Sequence, residues 1–432
     1  MKRIVVLIMV LAVLAVPMAA TAQTTTNTAF QVVNLSQTDA ANINITFYDT
    51  SGAEVYTMAD VISASGSTTY IQSQMGGLGD TFNGSVVVSS DQEIAAIVNQ
   101  NTNDGSNTAG YNGSYTGFST GSTTFVIPIV LSSFYTYHTE ISVQNAGDSP
   151  VNVTVDYVDT ACTDDTASNL AVGTAVRFNN ETSCGGVFVN TSATITADGP
   201  VVAIVNQITE SNNQEQTYNG FAPADGNDVL YGPIMLKGYY GFNSAFQVQN
   251  VSGAPMDITA TYSDGEVETV TGVPDGASAT FIQQNENHAD GWTGSVQVTN
   301  STGGAMVGIV NQQGARGAAS YNMYAGGSQT WALPSLLYKY YGFTSAFQVQ
   351  NISGGPVDIT ITYDDGTSNS ASGVADGDVV AFIQDLEGGH TSPWAGSARV
   401  EADGDIVIVV NQDVLTQGVI DFQYSYNAVP LQ

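Results

Sequence analysis

The chain predicts an all-β fold built from four tandem β-sandwich repeats of about 100 residues each, arranged as an elongated rod. Three observations carry that expectation. Short markers recur four times in one fixed order, the stretches between them alternate apolar and polar residues, and Asp-Gly pairs break the alternation at hairpin spacing. Alternation with a period of two is what a strand with one buried face requires. No stretch beyond residue 22 shows the spacing of an amphipathic helix.

Residues 1–22 stand apart. The leader opens with Lys2 and Arg3, continues as an apolar run and closes on Ala20-Thr21-Ala22, the layout of a secretory signal peptide. The run is short for a membrane span. Cleavage is expected before Gln23, leaving a secreted, extracellular or cell-surface chain with no membrane insertion. No Cys follows the run to carry a lipid, and the C-terminal SYNAVPLQ holds no sorting signal, so attachment is expected to be non-covalent or through a partner.

The four repeats are assigned to residues 23–131, 132–237, 238–338 and 339–432. From Tyr239 to Gly265 and from Tyr340 to Gly366, 21 of 27 aligned residues are identical. The first marker, Val-Gln-Asn or a near variant, ends at Asn34, Asn145, Asn250 and Asn351. The second, Ile/Val-Val-Asn-Gln, ends at Gln100, Gln207, Gln312 and Gln412. A Tyr-Asn pair follows at Tyr111, Tyr218, Tyr321 and Tyr426, then an apolar-flanked Pro at Pro128, Pro233, Pro334 and Pro430. Self-similarity at a fixed period marks a repeat architecture.

Within the third copy, MDITATYSDG sets Ile258, Ala260 and Tyr262 against Asp257, Thr259 and Thr261. Asp264-Gly265 then supplies a tight hairpin turn, because both residues tolerate the positive φ of primed turns. Asp365-Gly366 and the stretch from Asp49 to Gly52 hold the same place, while Asp275-Gly276, Asp376-Gly377 and Asp403-Gly404 mark further turns. About seven short strands per copy, with turns every 8 to 12 residues or so, suggest an immunoglobulin-like sandwich, with a small barrel as the alternative. Trp292 and Trp394, matched by Phe82 and Phe188, are expected to give each copy one large core aromatic.

The joints read IPIVLSSFYTY, GPIMLKGYYGFNS and WALPSLLYKYYGFTS, a Pro-containing last strand running into the first strand of the next copy. A flexible linker would be rich in Gly and Ser instead. Phe134, Tyr135, Tyr239, Tyr240, Phe242, Tyr340, Tyr341 and Phe343 are therefore expected to be buried between neighbouring copies. With its YYG, VQN, GS, VNQ and YNG elements in that order, the chain resembles the tandem β-sandwich repeats of large secreted bacterial surface proteins of unassigned function. The resemblance covers nearly the whole mature chain and implies an extracellular structural or adhesive role. The second copy departs most: it has Thr191 where the others have Gly84, Gly294 and Gly396, and it alone holds Cys162 and Cys184.

Composition removes several function classes. Without residues 1–22, five basic residues face 39 acidic ones, a net charge of −34 with His neutral. Such a surface repels nucleic acid and anionic membranes. The chain's two cysteines, Cys162 and Cys184, are expected to form a disulfide in an exported protein. His138, His288 and His390 stand far apart in sequence and no nucleophile motif, zinc-binding helix or phosphate loop accompanies them, so no catalytic residue and no enzyme activity is expected. Asp164, Asp165, Asp364, Asp365, Asp403 and Asp405 offer the hard oxygens that Ca2+ prefers, but without EF-hand spacing. They read first as turn residues, and calcium is the one cofactor in view. The amide pairs Gln249-Asn250, Gln350-Asn351, Asn311-Gln312 and Asn411-Gln412 recur, which favours service to the backbone over a sugar site.

The expected function is a non-enzymatic spacer, adhesin or building block of a surface layer or filament. Its expected partners are other surface proteins, surface glycans or copies of itself. A secreted carbohydrate-binding protein and a secreted hydrolase are the alternatives. The first copy starts at TTTNTAFQVVN with no YYG segment before it, and the last ends in AVPLQ where its joint would begin. Two open ends predict head-to-tail pairing through strand edges.

Overall fold

Alternation in the sequence becomes alternation in burial. Val151–Tyr157, Met256–Tyr262 and Val357–Tyr363 each bury every second side chain. The computed structural model describes residues 6–11, 25–79, 81–103, 110–209, 211, 213–387, 389–414 and 423–431. Among these the regular structure is nearly all strand, with helix limited to single turns such as Asn180–Ser183 and Gln384–Glu387. The strands gather into two units that divide between Ala222 and Pro223. The leader's Ala20-Thr21-Ala22 lies outside the described residues.

The third copy shows the plan most simply. One four-stranded antiparallel sheet runs in the order Val229–Lys237, Trp292–Asn300, Met256–Tyr262, Val267–Val273. A second runs Ser278–Ile282, Phe242–Asn250, Met306–Gly314, Gly317–Asn322. Leu230, Ile258 and Val296 from the first meet Phe246, Phe281 and Val310 from the second in one core, the arrangement of a two-layer sandwich. That makes eight strands where spacing suggested seven, because Gly317–Asn322 folds back as a hairpin partner rather than a loop. In the second and fourth copies the same two sheets are joined by one continuous strand, Val189–Thr209 or Trp394–Val414. Asp403-Gly404 therefore lies inside a strand and is not a turn.

Aromatic residues pair across strands in register. Phe30 opposes Tyr70, Phe246 opposes Phe281 and Phe347 opposes Phe382, with ring centroids 5.2, 4.6 and 5.1 Å apart. Directly opposed aromatic pairs are among the stronger cross-strand contacts.

The Asp-Gly hairpins are three-residue loops. The Tyr262 N–H donates to the Glu266 carbonyl and the Gly265 N–H to the Tyr262 carbonyl, with Gly265 at φ 90°. Gly366 and Gly52 repeat this at φ 87°. Only the last position is left-handed, so this is the bulged hairpin and not the primed two-residue turn. Primed geometry occurs instead at Tyr240-Gly241 and Tyr341-Gly342, where both residues have positive φ inside the bridges Tyr239–Phe242 and Tyr340–Phe343.

The joint strands pair forward. Ser122–Ser132 hydrogen-bonds to Val189–Thr209, Val229–Lys237 to Trp292–Asn300, and Ser328–Tyr338 to Trp394–Val414. Each is thus the first strand of the copy that follows, not the last of the copy before. Apolar composition marks such a strand as buried but does not say which neighbour receives its hydrogen bonds. Register also moves the third marker in the first copy from Tyr111 to Tyr115. Tyr115 opposes Val98 just as Tyr218, Tyr321 and Tyr426 oppose Val205, Val310 and Val410. Pro430 likewise differs from the other marker prolines: it pairs with Trp331 in a return segment, where the second and third copies place Phe221 and Tyr324.

Candidate functional site

The polar residues that recur in each copy converge on backbone groups. Asn250 donates to the carbonyls of Ala254 and Val273 and accepts the Ser252 N–H. Asn34, Asn145 and Asn351 repeat the set on their own loops. One buried amide so fixes both ends of a loop, and few other side chains carry donors and an acceptor together. Gln144 and Gln249 donate to the carbonyls of Gly173 and Gly276.

Neighbouring copies within a unit are tied by the Asn of the Tyr-Asn marker. Asn219 donates to the Thr116 carbonyl at 2.7 Å and accepts the Thr116 N–H at 3.2 Å. Asn427 does the same to Asn322, at 2.6 and 2.9 Å. Asn411 and Gln312 add a side-chain amide bond of 2.9 Å. In the first unit the corresponding region holds Glu215, which is 5% exposed and packs against the backbone of Gly113. Burial, with Glu140 adding repulsion, pushes its carboxyl up to about 7. Glu140 itself is paired with Arg177 at 2.8 Å.

Histidine supplies the best-formed side-chain cluster. His390 lies flat on Trp394, with centroids 4.1 Å apart and planes 4° apart, and meets the ring of Tyr363 edge to face. Its Nδ1 contacts the Asp365 carboxylate at 2.8 Å and its Nε2 the Gln384 Oε1 at 2.7 Å. Burial works against the Asp365 carboxylate, but hydrogen bonds from Thr367 and His390 hold it below its usual range. His288, Trp292, Tyr262 and Asp264 repeat the stack, with 3.9 Å between the His and Trp rings and 2.7 Å to the carboxylate. An Asp–His pair serves catalysis when the far nitrogen reaches a nucleophile. At His390 that nitrogen meets an amide and an indole covers the face, so the pair clamps the loop after Asp365.

Five of the six calcium candidates accept hydrogen bonds through their carboxylates. Asp165 accepts from the Tyr157 and Ser183 hydroxyls, Asp164 from the Tyr157 N–H, Asp364 from Ser397 and Asp403 from the Asp358 N–H. Asp365 faces His390, and the Asp405 carbonyl accepts the Ile352 N–H. Among the described residues, no three His, Cys, Asp or Glu side chains converge on a point that would hold a metal ion. Cys162 and Cys184 are joined as a disulfide across 22 positions. Beside it the Thr191 hydroxyl accepts the Asp159 N–H, whereas a side chain at Gly294 or Gly396 would collide with Ser263 or Asp364.

The joint aromatics divide. Phe242 is buried, and Phe134, Tyr239, Tyr340 and Phe343 are half-buried. Tyr135, Tyr240 and Tyr341 are 75, 79 and 77% exposed, which corrects their expected burial. Each sits at the tip of a two-residue turn with φ near 48° and packs edge-on against the preceding aromatic, because the primed turn points its first side chain outward. Phe188 is also no core residue: it is 61% exposed beside Phe134 and Tyr135. The histidine clamp had a sequence signal in the repeated four-residue spacing from His to Trp; the Asn219 bridge had one in the recurring Tyr-Asn marker, though not its partner a whole copy away, and Glu215 had none.

No family model matches the chain, and no curated protein matches it. Among solved structures, a serine-rich repeat protein of Streptococcus agalactiae aligns at 9% identity over 78% of this chain and 85% of that one, with a TM-score of 0.12. A glycoside hydrolase of family 32 from Bifidobacterium adolescentis aligns at 9% identity over 89% of this chain and 97% of that one, with a TM-score of 0.14.

Proposed function

We propose that the protein is an exported, non-enzymatic component of the cell surface or extracellular space, built of four immunoglobulin-like sandwich modules in an elongated rod. It acts as a spacer, an adhesin or a building block of a surface layer or filament, with other surface proteins, surface glycans or further copies as partners. The supporting observation is that recurring polar side chains serve the same backbone groups copy after copy: Asn34, Asn145, Asn250 and Asn351 each bind their own loop, and Asn219 and Asn427 each bind a neighbouring copy. Repeated stiffening suits a load-bearing or spacing role better than a single active centre. Calcium is a loose surface counter-ion in this reading and no cofactor is required. Light scattering and electron microscopy of residues 23–432, in calcium and in chelator, test it: monomeric rods or ordered assemblies fit, and a flexible string of beads does not.

A second reading, carbohydrate binding, draws on the exposed rings of Tyr135, Tyr240 and Tyr341. Aromatic faces presented to solvent suit the apolar face of a sugar ring. A glycan array with the purified chain tests it, and an array without hits removes it.

A further inference from the structure

In the first copy, the place of the joint strand is taken by the leader. Val6–Leu11 runs antiparallel to Gly84–Ser90, from Val6 opposite Ser90 to Leu11 opposite Ser85. Among the described residues, Gly84–Ser90 otherwise pairs only with Ala41–Asp49 in its sheet. The slot is the same one that Ser122–Ser132, Val229–Lys237 and Ser328–Tyr338 fill in the later copies: Val10 opposes Val86 as Ile127 opposes Ala193, Gly232 opposes Val296 and Leu333 opposes Ala398. Those three strands are buried along nearly their whole length, so the slot is a core position and not a trimmed edge.

We propose that Gly84–Ser90 is a strand-acceptor site that signal-peptide removal opens, and that a separate protein fills it with an apolar strand of the joint type. The inference rests on the export reading, which supplies the cleavage. An exposed edge over an apolar core pairs readily with an added strand, main-chain hydrogen bonds giving affinity and alternate side-chain pockets giving selectivity. The strands that fit the three equivalent slots define the chemistry: about ten extended residues, apolar over the central six or seven, with a proline at a bulge. A second copy of this chain is the poorer donor. Its three joint strands are already hydrogen-bonded in their own slots, and Val429–Pro430 is held by Trp331 and Ala332, so giving one up opens in the donor what it closes in the acceptor. Among the described residues of the C-terminal segment, Val429–Pro430 is already paired.

The test uses the chain exported by an expressing cell, with its N-terminus read by mass spectrometry. Synthetic peptides of residues 122–132 and 328–338, and a scrambled control, are added while hydrogen exchange is followed. The expected result is a cut leader, fast exchange at Gly84–Ser90 in the free chain, one peptide bound per chain, and exchange at Gly84–Ser90 slowed at least about tenfold, with Trp292–Asn300 unchanged. A cut leader with no binding, or with a free monomer already protected at Gly84–Ser90, overturns the acceptor site and leaves the export reading standing. Protection that appears only in oligomers of the chain alone assigns the slot to a second copy and overturns the separate partner. A leader still attached and protecting Gly84–Ser90 overturns both the opening step and the processing on which it rests.

Discussion

The Tyr218 hydroxyl donates to the carbonyl of Ile129 at 2.8 Å and accepts the N–H of the same residue at 3.4 Å. Ile129 follows Pro128 in the bulge of the joint strand, where the register against Val189–Thr209 slips between Thr191 and Ala193. Tyr321 holds Ile234 after Pro233 in the same way, at 2.8 and 3.1 Å, and Tyr426 holds Ser335 after Pro334. The slip leaves one residue unpaired in the ladder, the Pro contributes no N–H, and the buried phenol satisfies both groups of the residue after it. Two markers about ninety residues apart in sequence are thus halves of one device.

Tyr218→Phe, or Tyr321→Phe, is expected to leave a buried N–H and carbonyl unsatisfied at unchanged shape. The cost should be about 1–3 kcal/mol, read as a lower urea midpoint for the variant. An unchanged midpoint in both variants would show that water or a backbone shift replaces the phenol.

Asn250→Ala removes four hydrogen bonds from one loop, and a loss of about 2–4 kcal/mol is expected from the net worth of such bonds plus the carbonyls left buried. Asn250→Asp is the sharper variant. A carboxylate accepts the Ser252 N–H but cannot donate to the Ala254 and Val273 carbonyls, so it should melt no higher than the alanine variant. Recovery to the parent melting temperature would contradict the donor role.

Glu215 gives a pH dependence with a defined sign. Its folded carboxyl titrates near about 7, above the ordinary value of 4.5, because burial disfavours the charge. The folded chain therefore holds a proton that the unfolded chain has released between those values, and stability falls as pH rises from about 4.5 to about 7 and then levels. The fall is on the order of 3 kcal/mol. Glu215→Gln should flatten the curve and be the more stable form at pH 8; parallel curves for parent and variant would exclude Glu215 as the titrating group.

Much of the strand pattern was legible because burial of one face writes itself into alternate residues: Ile258, Ala260 and Tyr262 follow directly. Pairing was less so. Nothing local to WALPSLLYKYY says that its hydrogen bonds run forward to Trp394–Val414, and the Tyr111-Asn112 pair imitates a marker that register assigns to Tyr115. The polar constellations were legible only as repetition. His390 with Trp394 could be aligned to His288 with Trp292, but Asp365 and Gln384 joined the cluster only once the hairpin folded.

The Cys162–Cys184 disulfide closes a loop with a sequence separation of 22. A closed loop of that length restricts the unfolded chain by about 3 kcal/mol. Replacing both cysteines by Ser is expected to lower the stability of the first unit by roughly that amount and to make its melting indifferent to reductant. Because Gly294 and Gly396 have no cysteine counterpart nearby, the transitions of the second unit should not move.

Tyr240 is the position where stability and surface function pull apart. It holds φ 48° at the first position of a two-residue turn, with its ring 79% exposed. A side chain other than Asn, Asp or Gly is strained there, and the edge contact with Tyr239, 4.7 Å between centroids, offsets part of the strain. Tyr240→Asn should therefore stabilise the chain by about 0.5–1 kcal/mol while removing the exposed ring. If the ring serves only the turn, the variant melts higher and every binding assay is unchanged. If it meets a ligand, the same variant melts higher and binds less, and adding Tyr135→Asn and Tyr341→Asn should deepen the loss because the three rings occupy equivalent turns. A variant that melts lower would show that the edge-to-face pair of tyrosines, and not the backbone preference, governs the turn.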